Sequence, residues 1–190
     1  MLSIEDISES KHFQLTELKP GIFAAICGQR GAGIGNAGMI DLGDRILIFD
    51  TFLTPQAAAD LLSMTLDLTG RQPDLVINSH YHNDHIWGNQ VYLPQATILS
   101  SAGTRQLMTT DGQEEFDWYG AQSAGRLQEL CEQYSQAEDA GEKENIAPWL
   151  DYYGGLVEAF PTLELCLPQM TFGDQFTIHG KNRRAELLTF

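Results

Sequence analysis

The stretch from Ser79 to Asn89 concentrates side chains that can bind a metal ion. It reads SHYHNDHIWGN and contains three of the five histidines of the chain, with an aspartate between the second and the third. These four residues are His80, His82, Asp84 and His85. Neutral imidazoles and carboxylates are the ligands that catalytic zinc ions take in proteins. A solvated loop has no reason to place ligand-type residues at this spacing, so the stretch predicts a metal site.

The spacing of the motif indicates two ions. In an extended segment, residues i and i+2 project to the same side, so His80 and His82 can converge on one ion. Asp84 and His85 follow a turn and cannot comfortably reach that ion, so we expect them to face a second ion. Two ions about 3.5–4 Å apart can share a hydroxide, lower its pKa and stabilise an oxyanion. Asp84 is also the candidate catalytic residue, as the acceptor of a proton from that water.

The motif His-x-His-x-Asp-His, placed directly after a buried strand, resembles the signature of the metallo-beta-lactamase-fold hydrolases. The resemblance implies a binuclear metallohydrolase in which His80 and His82 bind the first metal and Asp84 and His85 the second. The diiron-flavoprotein branch of the fold usually has a carboxylate where this chain has His82, so the imidazole favours hydrolysis over redox chemistry. We expect one or two zinc ions, with iron or manganese as alternatives, and a small-molecule ester, lactone, thioester or amide as substrate.

Two further residues are candidates for supporting the ligands. The apolar run from Arg45 to Asp50 has the pattern of a strand buried on both faces, and it ends in an acid. The resemblance implies that Asp50 orients a ligating imidazole; the alternative is a turn or a helix-entry residue. Asn89 is expected to support the loop by hydrogen bonding. Tyr81 and Trp87 flank the ligands, and each either lines a substrate pocket or packs in the core.

The segments around the motif predict an α/β arrangement. Thr54-Pro55 is a helix start, and Gly70 a helix end. The next strand, from Asp74 to Ser79, leads directly to His80. The segment from Ser79 to Asn89 is called the ligand loop below. Strand, helix, strand and ligand loop together predict a site outside the carboxyl ends of the strands.

Residues on either side of this unit complete the fold prediction. Before Asp50, three short apolar runs separated by glycines predict a strand meander after a polar lead-in. From 101 to about 160 the pattern becomes helical, and Gln169 to Ile178 and Glu186 to Phe190 have strand patterns around a turn at His179. Acids of the helical region, Glu114, Glu115, Glu138 and Asp139, are expected on solvated faces.

The resemblance implies a fold class, a mixed β-sheet flanked by helices. This would be one half of the αβ/βα metallo-beta-lactamase sandwich, with a helical insertion at about 101–160. All of residues 1–190 are then expected to form a single, truncated domain.

The resemblance stops at the end of the chain. In the family, the strand that residues 185–190 resemble is followed by a glycine-rich turn carrying the third histidine of the first site. A bridging acid and a final histidine of the second site are also absent. Catalytic zinc generally has three protein ligands, so we expect weak or incomplete metal binding and poor or absent hydrolysis. Two alternatives stay open: a non-catalytic homologue acting as a dimeric or partner-binding module, and a mononuclear iron dioxygenase acting on persulfides, whose branch shares the motif.

The composition of the chain limits the kinds of partner that we expect for it. The formal net charge of −15 would repel phosphate backbones, which excludes nucleic acid. The chain has no run of eighteen apolar residues, so no membrane span is expected. The amino terminus lacks a secretory pattern, and Cys27, Cys131 and Cys166 have the spacing of reduced, buried thiols, so we expect a cytoplasmic protein. Loss of a second half would bare an apolar sheet face, which predicts a homo-oligomer formed through that face.

Overall fold

A mixed sheet of seven strands is the main element of the computed structural model, which describes residues 9–28 and 33–189. The strands lie in the order β1 to β7; pairings from β1 to β4 are antiparallel, and those from β4 to β7 are parallel. A separate antiparallel hairpin is formed by β8 and β9. The strands are β1 (Phe13–Lys19), β2 (Ile22–Cys27), β3 (Ala37–Asp41), β4 (Ile46–Phe49), β5 (Leu75–Asn78), β6 (Thr97–Ser101), β7 (Met170–Phe172), β8 (Gln175–His179) and β9 (Arg184–Leu188). The amino-terminal residues behind the cytoplasmic prediction, and Phe190, lie outside the described residues.

The crossover between β4 and β5 is the helix α1 (Pro55–Thr69), as the sequence predicts. The Thr54 side chain accepts a hydrogen bond from the Ala57 amide, and Pro55 occupies the first turn. At the other end, Gly70 adopts a φ of 67° and donates its amide to Leu66. A left-handed conformation of this kind is easily adopted by glycine, which is why the helix ends there.

Register places the functional side chains at one edge of the sheet. In the parallel part, Phe49 pairs with Ile77, and Ile77 with Leu99. Asp50 and Ser79 therefore follow the carboxyl ends of neighbouring strands. Ligand sites of open α/β sheets lie outside this end of the strands.

Three helices lie between β6 and β7, and they confirm the predicted helical insertion. They are α3 (Ala102–Thr109), α4 (Asp111–Gln136) and α5 (Ala140–Ala159). The apolar side chains of α4 and α5 pack against fully buried Trp87, whose ring meets Phe116, Tyr119 and Phe160 edge-on. Trp87 therefore packs in the core, and the insertion stands beside the ligand loop. The fold class, a mixed sheet flanked by helices, is as predicted; the proposed division of 1–190 into one truncated domain stays a prediction.

Two parts of the strand assignment were wrong. The expected polar lead-in forms strand β1, an edge strand that pairs only with β2 and exposes most of its residues. Few of its positions need to be apolar, so its strand signal is weak. The single strand predicted from Gln169 to Ile178 is broken at Gly173-Asp174, where β7 leaves the main sheet and the chain enters the hairpin.

The second face of the main sheet is partly covered. Leu47, Ile77 and Leu99 pack against Ile178 of the hairpin, whereas Ile26 and Phe49 keep 47% and 38% of their surface exposed. Self-association through this face stays a prediction.

The sequence also predicts that no helix spans a membrane and that the cysteines are reduced and buried. Among the described helices, none combines the length and apolar character that a membrane crossing requires. The three cysteines are free, as predicted, but none is fully buried: Cys27 and Cys166 are partly buried and Cys131 is exposed.

Candidate metal centre

The three histidine rings of the motif meet at the carboxyl edge of the sheet. His80 follows β5 after one intervening residue, and His82 is the N-cap of the short helix α2 (Asn83–Ile86). Asp84 and His85 therefore lie in the first turn of that helix. The ring centroid of His80 is 4.8 Å from that of His82 and 4.1 Å from that of His85.

Asp50 is buried and holds the loop through both carboxylate oxygens. Its Oδ1 accepts a hydrogen bond from the Ser79 amide at 2.8 Å, and its Oδ2 accepts one from the Ser79 hydroxyl at 2.7 Å. Oδ2 also lies 2.8 Å from Nδ1 of His85. Asp50 has a φ of 60°, an unusual conformation for a residue other than glycine, and strain of this kind concentrates at functional sites.

These contacts assign the tautomers of two rings. Because the Asp50 carboxylate can only accept, Nδ1 of His85 donates to it and Nε2 faces the site. The Ser79 hydroxyl gives its one proton to Asp50, so His80 Nδ1, 2.8 Å away, donates to the Ser79 oxygen. Nε2 of His80 is then left with its lone pair, as a metal ligand requires. Ser79 was not among the residues predicted from sequence; its only signal is a small hydroxyl residue between the strand end and the first histidine.

Charge is concentrated on the pair formed by Asp84 and His85. Nε2 of His85 lies 3.1 Å from Oδ2 of Asp84. Burial alone would lower the pKa of His85, but the hydrogen bonds and charges of Asp50 and Asp84 outweigh it and raise the pKa to about 9. Burial opposes ionisation of Asp84 as well, yet the His85 contact brings the pKa of Asp84 below its usual value. Burial, followed by the charge on His85, lowers the pKa of His80.

The imidazole and carboxylate groups of the motif are of the types that bind metal ions, and the distance between Asp84 and His85 suits two ligands of one ion. Zinc bonds to imidazole nitrogen and carboxylate oxygen are about 2.0–2.2 Å long, so two ligands of one tetrahedral ion stand roughly 3.4 Å apart. The 3.1 Å between Asp84 and His85 is near this separation. No group of three or more His, Cys, Asp or Glu side chains able to hold a metal ion occurs in residues 9–28 and 33–189.

Asn89 lies in a buried polar network behind the ligands. Its side chain exchanges hydrogen bonds with that of Asn78 and donates to the Cys166 carbonyl. Asn78 also donates to the carbonyl oxygen of His85. The neighbouring Gly88 has no room for a side chain, because a Cβ there would collide with the Thr51 carbonyl. This network ties the end of the ligand loop to β5.

Glu115 is not on a solvated face, which corrects the prediction for this residue. It lies on α4 near the ligand loop, and its Oε2 is buried with no hydrogen-bond partner among the described residues. Burial raises the pKa of Glu115, and the His82 charge and the Asn83 backbone amide offset this only in part. An acid-rich helix cannot reveal from its own sequence which acid points inward. Glu114, Glu138 and Asp139 are exposed as expected, and Asp139 caps α5.

Similarity to known proteins is found both in the sequence pattern and in the fold. A family model described as the metallo-beta-lactamase superfamily matches residues 30–163. No curated protein matches the sequence. Among solved structures, a metallo-beta-lactamase from Hirschia baltica is 18% identical with a TM-score of 0.47, over 54% of this chain and 49% of that chain. The metallo-beta-lactamase FIM-1 from Pseudomonas aeruginosa in its mono-zinc form is 16% identical with a TM-score of 0.46, over 53% of this chain and 47% of that chain.

A metallo-beta-lactamase from Erythrobacter litoralis is similar to the same degree, with 16% identity and a TM-score of 0.47 over 56% of this chain and 49% of that chain. The chain thus spans about half the length of these structures. The family model covers well over half of the chain and includes the whole ligand loop. Together with its mixed sheet and insertion helices, this match shows that the chain belongs to the metallo-beta-lactamase superfamily.

Proposed function

We propose that this protein is a metal-dependent hydrolase of small-molecule esters, lactones, thioesters or amides. One observation carries the proposal: Asp50 and Ser79 hold the Nδ1 atoms of His85 and His80, so that both Nε2 atoms are directed to the edge of the sheet. A ligating histidine is usually oriented by a carboxylate, a backbone carbonyl or a water that accepts from its other nitrogen, and here the Asp50 carboxylate and the Ser79 hydroxyl oxygen take this place. Once His85 releases its second proton, both rings can offer the lone pair of Nε2 to a metal ion.

Each side chain then has a role. His80 and His82 would hold one ion, and Asp84 and His85 a second. A divalent ion bound there supplies Lewis acidity, lowering the pKa of water and polarising a carbonyl group. Oδ2 of Asp84, which lies 3.1 Å from Nε2 of His85, would bind the ion, and the other carboxylate oxygen, Oδ1, would accept a proton from the attacking water. Asp50 and Ser79 keep the rings in place during the reaction.

Zinc suits this set of imidazole and carboxylate donors best, with iron and manganese as alternatives. Among the described residues no group of three or more such ligands is present, whereas catalytic zinc generally has three protein ligands. We therefore expect this chain to bind zinc weakly and to turn over slowly.

Zinc titration of the metal-free protein tests the proposal. Calorimetry should detect weak binding whose stoichiometry falls by one ion in the double variant His80→Ala, His82→Ala and is unchanged in the control His179→Ala, which alters an exposed histidine on β8. Ester hydrolysis should rise with added zinc and be lost in Asp84→Asn. Zinc binding equal in both histidine variants would refute the assignment. Two tightly held zinc ions after dialysis would contradict the expected shortage of ligands.

The same samples separate the two alternatives. Iron rather than zinc after aerobic purification, with persulfide-dependent oxygen uptake, would favour the dioxygenase. A stable dimer with neither metal binding nor turnover would favour a non-catalytic partner-binding module.

A further inference from the structure

A cleft of about 390 Å³ opens beside Asp84, between the ligand loop and the insertion helices. Apolar side chains form most of its wall: Ile34, Tyr119, Pro148, Trp149 and Tyr152. The polar part of the lining is Asn83 and Asp84. Its volume lies within the range of about 300–1,000 Å³ that is typical of small-molecule pockets.

The aromatic wall is held in place in the ligand-free protein. The Asn83 side-chain amide donates a hydrogen bond to the Tyr152 hydroxyl at 3.1 Å, which joins the ligand loop to α5. The Tyr152 ring packs edge-on against Tyr119 and Trp149, with centroids 5.8 Å and 6.0 Å away. Tyr152 is buried, while Trp149 keeps 55% of its surface exposed. The large apolar ring of Trp149 thus stays exposed at the cleft, while Tyr152 in the same wall is held by these contacts.

The charge around the cleft disfavours an anionic ligand. None of the described residues that line it is a lysine or an arginine. The insertion from Ala102 to Ala159 carries twelve acidic and three basic side chains. In the metal-free protein, a carboxylate on the aromatic group would meet this acidic surface and Asp84 itself, and no lysine or arginine of the described lining would pair with it.

We propose that the cleft binds an uncharged aromatic group of the substrate and sets the adjoining carbonyl group at Asp84. Resting on the proposed function, this inference narrows the substrate class to esters or amides whose aromatic end carries no negative charge. Trp149 is the residue that determines specificity, because its exposed ring offers a face or edge for an incoming ring.

Binding of a probe that is not turned over in metal-free protein tests the inference. N-benzylacetamide has an uncharged ring and a carbonyl, hippurate has a ring and an amide carbonyl but also carries a carboxylate, and N-butylacetamide lacks the ring. Calorimetry or NMR titration after chelation should show N-benzylacetamide binding about tenfold more tightly than either of the others. Trp149→Ala should weaken its binding about tenfold, and Trp149→Phe should restore most of the loss.

Trp118→Ala is the matched control. Trp118 is 51% exposed on α4 of the same insertion but does not line the cleft. Equal affinities in the Trp149→Ala and Trp118→Ala variants, or hippurate binding as tightly as N-benzylacetamide, would overturn the inference.

The test is independent of metal and of turnover. Probe binding without any zinc-dependent hydrolysis would support the cleft and refute the hydrolase. Zinc-dependent hydrolysis without probe binding would support the hydrolase and refute the cleft.

Discussion

Replacing Asp50 with asparagine should invert the tautomer of His85 while leaving the fold in place. Asparagine tolerates the left-handed backbone that Asp50 adopts, and its Oδ1 can still accept the Ser79 amide. An amide nitrogen in place of Oδ2 would donate toward His85 Nδ1, which must then accept. When His85 of this variant loses one of its two protons, the remaining proton stays on Nε2, the atom that a metal ion needs. Zinc affinity should fall about 10- to 100-fold, the usual effect of losing the partner of a ligating histidine.

The same substitution has a signature in the pH dependence of stability. The pKa of His85 is raised from 6.5 to about 9, so its contribution to folding is fully present below pH 6.5 and is lost as the pH rises through about 9. The difference corresponds to about 3 kcal/mol at most, at roughly 1.4 kcal/mol per pH unit. Because Asp84 supplies part of the shift, Asp50→Asn should remove about 1–2 kcal/mol at pH 6 and almost nothing above pH 9.5.

Urea unfolding of metal-free protein between pH 6 and 9.5 measures this effect. The matched control is Asp74→Asn, because Asp74 also accepts a backbone amide at a strand end, that of Ile46, but contacts no histidine. Wild type and the control should lose stability over this pH range, and Asp50→Asn much less. If Asp50→Asn keeps the wild-type pH dependence, the ion pair assigned to Asp50 and His85 is not present in solution.

Three other substitutions test the surroundings of the site. Glu115→Gln should raise the thermal midpoint of the metal-free protein at pH 7 but not at pH 4, since burial penalises only the ionised carboxylate. Calorimetric scans should show no such change for the control Glu114→Gln, because Glu114 is exposed. Gly88→Ala should lower the free energy of unfolding by roughly 2–4 kcal/mol, because the added methyl group has no space. Gly125→Ala, which has open space around it in α4, should raise the free energy of unfolding by about 0.5–1 kcal/mol. Urea unfolding that ranks the two variants the other way would contradict the packing around the ligand loop. Phe49→Lys should convert a self-associated protein to monomer in light scattering, and a wild type that is already monomeric at micromolar concentration would refute self-association through this sheet face.

Local patterns were sufficient for the part of the fold that presents the ligands. The apolar runs of β4 and β5, the Thr54-Pro55 start and the Gly70 end of α1 all have the predicted character. Each of these depends on neighbours within a few residues, through periodicity, capping and backbone conformation. The ligand motif is also continuous in sequence, so its residue types and spacing are enough to recognise it.

Long-range contacts could not be read in the same way. Asp50 meets His85 across 35 residues, and Asn83 meets Tyr152 across 69. Glu115 and Trp149 have no sequence feature that separates them from Glu114 and Trp118, yet the packing of α4 and α5 turns one of each pair toward the site. The sequence by itself therefore determined which residues are candidate metal ligands and that they follow a strand. Only the tertiary structure decided which ring nitrogens are free, which acid is buried and where an aromatic cleft opens, because those properties arise from surfaces that distant segments create together.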